Sequence, residues 1–173
     1  MQQKVPSFAE LLSSATRSAV HLEMRDVYAV AEEEGEMELW RSGAWSLDNG
    51  RKALSGWMEL VASITERGVA VRRARIVSEP VTDYIKYEHA LTPLNIEAGE
   101  EVRWLPRRQA LGIPLPAADF WLIDKRLVRF NHFSGAGEAV EPEMNDDPVV
   151  SALCASAFTS VWDRAMPHQE FKV

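Results

Sequence analysis

Cysteine is nearly absent from this chain: Cys154 stands alone among 173 residues. One thiol makes no internal disulfide, and that usage fits a reducing, cytoplasmic compartment. No apolar run approaches the roughly 20 residues that cross a bilayer. The opening residues, MQQKVPSFAELL, lack the long apolar core of a secretory signal. No membrane role is expected. Positive charge is scarce as well, with 19 Lys and Arg against 26 Asp and Glu and a net charge of −7. Phosphate binding needs a cationic surface, so direct contact with nucleic acid is not expected. Catalytic signatures are missing too. There is no G-x-S-x-G elbow, and His21, His89, His132 and His168 are scattered without metal-ligand spacing. The one Gly-x-Gly, at 135–137, opens no helix. No metal and no cofactor are expected.

What is present is ordinary globular material. Apolar residues make up 46% of the chain and charged residues 26%, enough for a real core in one domain. Ser7 and Glu10 form a capping-box pattern ahead of Phe8, Leu11, Leu12 and Ala15, one face of a helix. Residues 19–24 and 26–30 alternate as strands, and the acidic run 32–38 reads as a solvated helix start. Residues 43–50 are turn-rich. A helix over 51–67 carries Leu54, Trp57, Met58, Val61 and Ile64, ends at Gly68, and leads into a strand over 69–77. Thr82 or Asp83 caps a helix to about 91, where Pro93 disfavours continuation. A strand over 102–105, a proline-rich loop over 106–118, a hairpin turning at Asp124-Lys125-Arg126, a loop over 134–148 and a final helix over 148–165 complete the chain.

This order predicts a single α/β domain, a mixed β-sheet with helices on both faces. Residues 1–45 are expected as an N-terminal helix and strands packed on a main domain over 46–173, because those strands need an edge to join.

Four groups of residues could carry chemistry. Arg73 and Arg75 share one face of their strand and Arg72 takes the other. They suit either internal ion pairs, with Glu79, Asp83, Glu88, Glu100 or Glu101, or an anion site at the strand's end. Residues 66–108 hold eight basic and seven acidic side chains, a balance that favours ion-pair networks. Asp83, Tyr87, Glu88 and His89 gather a carboxylate, a phenol and an imidazole on one short helix, suited to acid–base work or to capping and packing. Arg107 and Arg108 follow a strand beside Trp104 and could stack on a base, clamp a phosphate or simply face solvent. His132 lies at a strand end before Ser134-Gly135.

Three stretches, RDVYAV (25–30), RGVAVRRARIVSEPVTDYIKYEHALTPLNIEAGEEVRWLPRR (67–108) and DFWLIDKRLVRFNHFSGAGE (119–138), carry a resemblance. They resemble an uncharacterised actinobacterial, Streptomyces-type family whose members keep company with helix-turn-helix regulators. More distantly, the element order is similar to one half of a phospholipase D-like domain. Active members of that group carry His-x-Lys-x4-Asp. With Asp124 aligned to the motif's Asp, Ala117 takes the place of the His and Asp119 that of the Lys. Alanine cannot attack phosphorus and aspartate repels phosphate, so the resemblance implies a scaffold without its catalytic pair. Such halves pair across a two-fold axis, which implies a homodimer.

These observations favour a non-catalytic sensing or protein-interaction domain of regulatory type. Its expected partner is a helix-turn-helix regulator or an anionic small molecule, held by Arg73, Arg75, Asp83, Tyr87, Glu88, Arg103, Arg107, Asp124 and His132. The alternative is a hydrolase or nuclease-like enzyme built on other groups, among them Asp83, Glu88, His89, Asp119, Asp124 and His132.

Overall fold

A computed structural model describes residues 5–173. The first helix, α1 (Phe8–Ser13), starts at the capping box: the Glu10 N–H donates to Ser7 Oγ and the Ser7 N–H to the Glu10 carboxylate. Strand β1 (Ser18–Glu23) follows, then a 3-10 turn (Ala31–Glu33) running into α2 (Glu34–Arg41). Helices α3 (Leu47–Ala53) and α4 (Ser55–Thr65) lead to β2 (Ala70–Val77). Helix α5 (Asp83–Glu97) crosses to β3 (Glu100–Pro106), and β4 (Asp119–Ile123) and β5 (Leu127–Asn131) form a hairpin. Strand β6 (Glu143–Asn145), α6 (Pro148–Arg164) and the short β7 (Met166–Pro167) end the chain.

The strands form one mixed seven-stranded sheet in the order β6-β5-β4-β1-β2-β3-β7. Strands β1, β2 and β3 are parallel, and the remaining pairs are antiparallel. Alternation divides the side chains between two layers. On one face Leu22, Ala74, Ile76, Leu105, Phe120 and Leu122 pack against α6 through Cys154, Phe158, Val161 and Trp162. On the other, Ala19, Val71, Trp121 and Ile123 meet α1 and α4, and Val77, Val102 and Trp104 meet α5. The α/β domain with helices on both faces is therefore the observed architecture.

Several local features differ from the sequence reading. Strand β1 joins no edge; it sits at the centre, hydrogen-bonded to β2 on one side and β4 on the other. Residues 26–30 make only a single bridge, Ala29 to Glu138. Asp26 explains this: its carboxylate accepts from the N–H and the hydroxyl of Ser78, both at 2.7 Å, and turns the chain out of the sheet. The helix expected over 51–67 begins earlier, because Ser46 and Asn49 cap α3, and it breaks at Leu54. Gly50 lets α3 approach α5, since a Cβ there would lie 2.7 Å from Leu91 Cδ2 and 2.8 Å from Trp45 Cζ2. Helix α5 continues through Pro93 to Glu97. The proline forfeits one backbone bond, but Leu94 and Asn95 beyond it are buried, and that packing outweighs the loss.

Candidate functional site

Polar side chains interrupt the sheet face that α5 covers, from the start of β3 to the carboxyl-terminal parts of β1 and β2. His21 and Glu23 project from β1, Arg73 and Arg75 from β2, Glu100 from β3 and Glu88 from α5. The five charged groups pair with one another, while both ring nitrogens of His21 have no hydrogen-bond partner among the described residues. Arg73 pairs with Glu100 at 2.5 Å and with Glu23 at 3.2 Å. Arg75 pairs with Glu23 at 2.9 Å and with Glu88 at 2.5 Å. Asn95 donates to the other oxygen of Glu100 at 3.0 Å. Burial opposes ionisation of Glu23, but Arg75 and Arg73 outweigh it and hold the carboxyl far below the usual carboxylate range. Burial has the opposite consequence for His21, which drops to about 3 and is a neutral ring stacked 4.3 Å from Trp121.

This network continues outward along α5. Tyr84, one turn before Glu88, donates its hydroxyl to Glu33 at 2.9 Å. Burial, then the nearby Glu88 charge, pushes the Glu33 carboxyl up to about 7. Glu33 lines an open cleft of about 510 Å3 between the chain leaving β1 (residues 27–30), α2 and the first turn of α5. The rings of Tyr28 and Tyr84 stand 5.7 Å apart in its wall. Such a crevice beyond the carboxyl ends of parallel strands is where open α/β sheets take ligands.

Tyr28 also links to a second cleft, of about 350 Å3, lined by Arg25, Asp119, Asn131, His132 and Phe133 among others. Its hydroxyl donates to Asp119, whose other oxygen accepts from the Met24 N–H at 2.9 Å. Burial pushes the Asp119 carboxyl up to about 6. His132 lines this cleft but turns to Glu143, 3.4 Å away, rather than to Asp119.

The residues singled out in the sequence therefore scatter. Arg73, Arg75 and Glu88 meet in the buried network, paired as the internal-ion-pair reading expects. Asp83 is exposed beside Lys86, and Tyr87 is buried against Trp40 and Trp45. Arg103 lies on the opposite sheet face, its guanidinium 4.4 Å from the Trp162 ring. Arg107 ties the ends of β1 and β2 together, donating to Met24 O, Ser78 Oγ and Ile76 O. Asp124 sits at the other end of the sheet, where its carboxylate accepts from the N–H groups of Thr16, Arg17 and Ser18. Burial opposes its ionisation, but these donors prevail and hold it below the usual range. Sequence reasoning passed over Glu23, Tyr28 and Glu33, while helix periodicity had set Tyr84 on the same face as Glu88. Glu23 reads as the solvent-facing member of an alternating strand, and only the central position of β1 buries it. Among the described residues no group of three or more His, Cys, Asp and Glu side chains is placed to hold a metal, and no helix is long and apolar enough to cross a membrane.

No curated protein matches the chain. Among solved structures, TrmBL2, an archaeal chromatin protein with a novel mode of DNA binding, is similar at a TM-score of 0.48 and 14% identity over 91% of this chain. The matched region covers 48% of that protein, so the chain spans about half its length. The exclusion of direct nucleic-acid contact drawn from the acidic composition is withdrawn beside a DNA-binding neighbour. Net charge sums over the whole surface and does not decide the sign of one face. A likeness at this level assigns no ligand to the chain. The expectation of an anionic ligand on Arg73 and Arg75 is corrected as well, because three carboxylates already surround those two guanidiniums. The sequence profile of a domain of unknown function, DUF6879, matches residues 6–173, and the chain belongs to that family.

Proposed function

We propose that this chain is a non-catalytic sensing domain of regulatory type, cytoplasmic, whose ligand site is the cleft lined by Tyr28, Glu33 and Tyr84. One observation carries the reading: the large open cleft lies over the carboxyl ends of the parallel strands, walled by aromatic and acidic side chains, while the charged groups beneath it are closed on one another. The histidines are occupied elsewhere. His21 is stacked on Trp121, His89 bonds the Phe171 carbonyl, His132 faces Glu143 and His168 accepts from Trp104. Ala117 and Asp119, in the places of the phospholipase D-like His and Lys, support the same reading.

The test is a thermal-shift screen of small metabolites against wild type and Ala29→Trp, which fills the cleft from an exposed position. Sensing predicts compounds that raise the melting temperature of wild type, leave Ala29→Trp unmoved and are recovered unchanged after hours. A compound that is chemically converted, or a screen in which nothing stabilises wild type, overturns the proposal. A second reading, hydrolysis in the smaller cleft, has one observation in its favour: the raised carboxyl of Asp119 against the Tyr28 phenol, in a cleft that His132 also lines. Asp119→Asn abolishes any such turnover and leaves binding in the larger cleft intact.

A further inference from the structure

We infer that the larger cleft takes an organic ammonium ion with an apolar body, seated against the rings of Tyr28 and Tyr84 with its charge toward Glu33, Glu34 and Glu38; this rests on the sensing reading above. Three carboxylates line the cleft and a single guanidinium, Arg41, opposes them. The charges facing Glu33 from the neighbouring elements do not correct the imbalance. Glu88 of α5 and Glu23 of β1 repel it, and Arg75 of β2, which attracts it, is already paired with both. Among the described residues the one side-chain hydrogen bond to Glu33 comes from the Tyr84 phenol, and none of them forms an ion pair with its partly buried carboxyl.

A ligand cation supplies what is missing. It pairs with the carboxylates in a half-closed site, where charge-assisted bonds are stronger than in water. The aromatic rings of Tyr28 and Tyr84 in the wall add cation–π attraction. Val27, Val30 and Met37 offer an apolar wall for the ligand's body. An anion meets net repulsion here, and a neutral apolar molecule leaves Glu33 to take up a proton, so only a cation draws on its charged form. The volume, about 510 Å3, lies within the range of small-molecule sites.

Three probes that share a phenylethyl body test the charge: 2-phenylethylammonium, 2-phenylethanol and 3-phenylpropionate, titrated into wild type, Glu33→Gln, Glu38→Gln and Ala29→Trp. Binding is followed by calorimetry and by the NMR signals of the tyrosine rings and the Met37 methyl. Glu33→Gln keeps an acceptor for Tyr84 and preserves the fold, and exposed Glu38 provides a second charge variant. The ammonium binds wild type at least tenfold more tightly than the alcohol or the acid. It loses at least fivefold in each Gln variant, and Ala29→Trp abolishes it. Should the alcohol bind as tightly as the ammonium and vanish in Ala29→Trp, the cation inference fails and the cleft reading stands. Ammonium binding undiminished in Ala29→Trp refutes both. Absence of binding by all three probes overturns the inference.

Discussion

Replacing Arg75 with methionine is the sharpest test of the buried charge network. Arg75 is 4% exposed and neutralises Glu88 and part of Glu23. Methionine fills much of the same space, so the main effect is electrostatic. Among the described residues Glu88 loses its one ion-pair partner, and Glu23 keeps Arg73 as its remaining arginine. Removing one member of a buried pair costs about 3–5 kcal/mol, because the remaining charge is stranded. In a domain of this size each kcal/mol moves the melting temperature by about 2–4 °C, so the expected fall is about 6–20 °C. The double variant Arg75→Met/Glu88→Leu behaves differently. It removes the charge and its stranded partner together, and the network keeps the single net negative charge it has in wild type. Its stability returns to within about 2 kcal/mol of wild type, since a hydrophobic replacement of a buried pair is often neutral. Urea unfolding followed by circular dichroism gives the double-mutant cycle, with a coupling energy of about 2 kcal/mol or more. A single variant that loses less than about 1 kcal/mol, or a double variant as unstable as the sum of its parts, refutes this account.

Other perturbations have equally definite outcomes. Asp124→Ala removes the acceptor that holds residues 16–18 and places alanine at a φ of 50°; urea unfolding reads a loss of about 1–2 kcal/mol, and about half that for Asp124→Asn. Because the folded carboxyl ionises below its ordinary value, this contribution is present above the unfolded pKa of about 4 and is lost as pH falls through the folded value, so wild type and Asp124→Asn converge in acid. Gly50→Ala forces Leu91 and Trp45 apart and lowers stability by about 1–3 kcal/mol in the same measurement. His21 is neutral when folded, at about 3 against 6.5 unfolded, so its contribution is present above pH 6.5 and is lost as pH falls toward 3. An acid titration of His21→Phe, which keeps the stack on Trp121 and has no proton to take up, therefore shows unfolding at lower pH than wild type.

Much of the local structure was legible in the residues. The Ser7–Glu10 capping box and Gly68 at the end of its helix both act within a few residues of chain, where geometry follows directly from sequence. The facing of the arginines was legible for the same reason: side chains alternate along a strand, so Arg72 reaches Trp162 while Arg73 and Arg75 turn to the opposite layer. Pro93 shows the limit of such reasoning, because its local preference for ending a helix yields to burial of Leu94 and Asn95 against distant elements.

The candidate site depended on distance in the chain. Glu23, Arg73, Arg75, Glu88 and Glu100 come from three strands and a helix, and nothing in their spacing says which carboxylate takes which guanidinium. Register decides it, by setting Glu23 opposite Arg75 and Arg73 opposite Val102 across the parallel pairs. The sequence by itself determined the α/β class, the division of the sheet's faces and an acidic chain whose arginines are matched by nearby carboxylates. Only the tertiary structure decided that β1 lies at the centre, that Glu23 is thereby buried and bridges both arginines, and that Glu33 and Tyr84 meet across a cleft. Periodicity reports which face a side chain occupies, whereas the partner waiting on that face is chosen by long-range packing, to which no local pattern gives access.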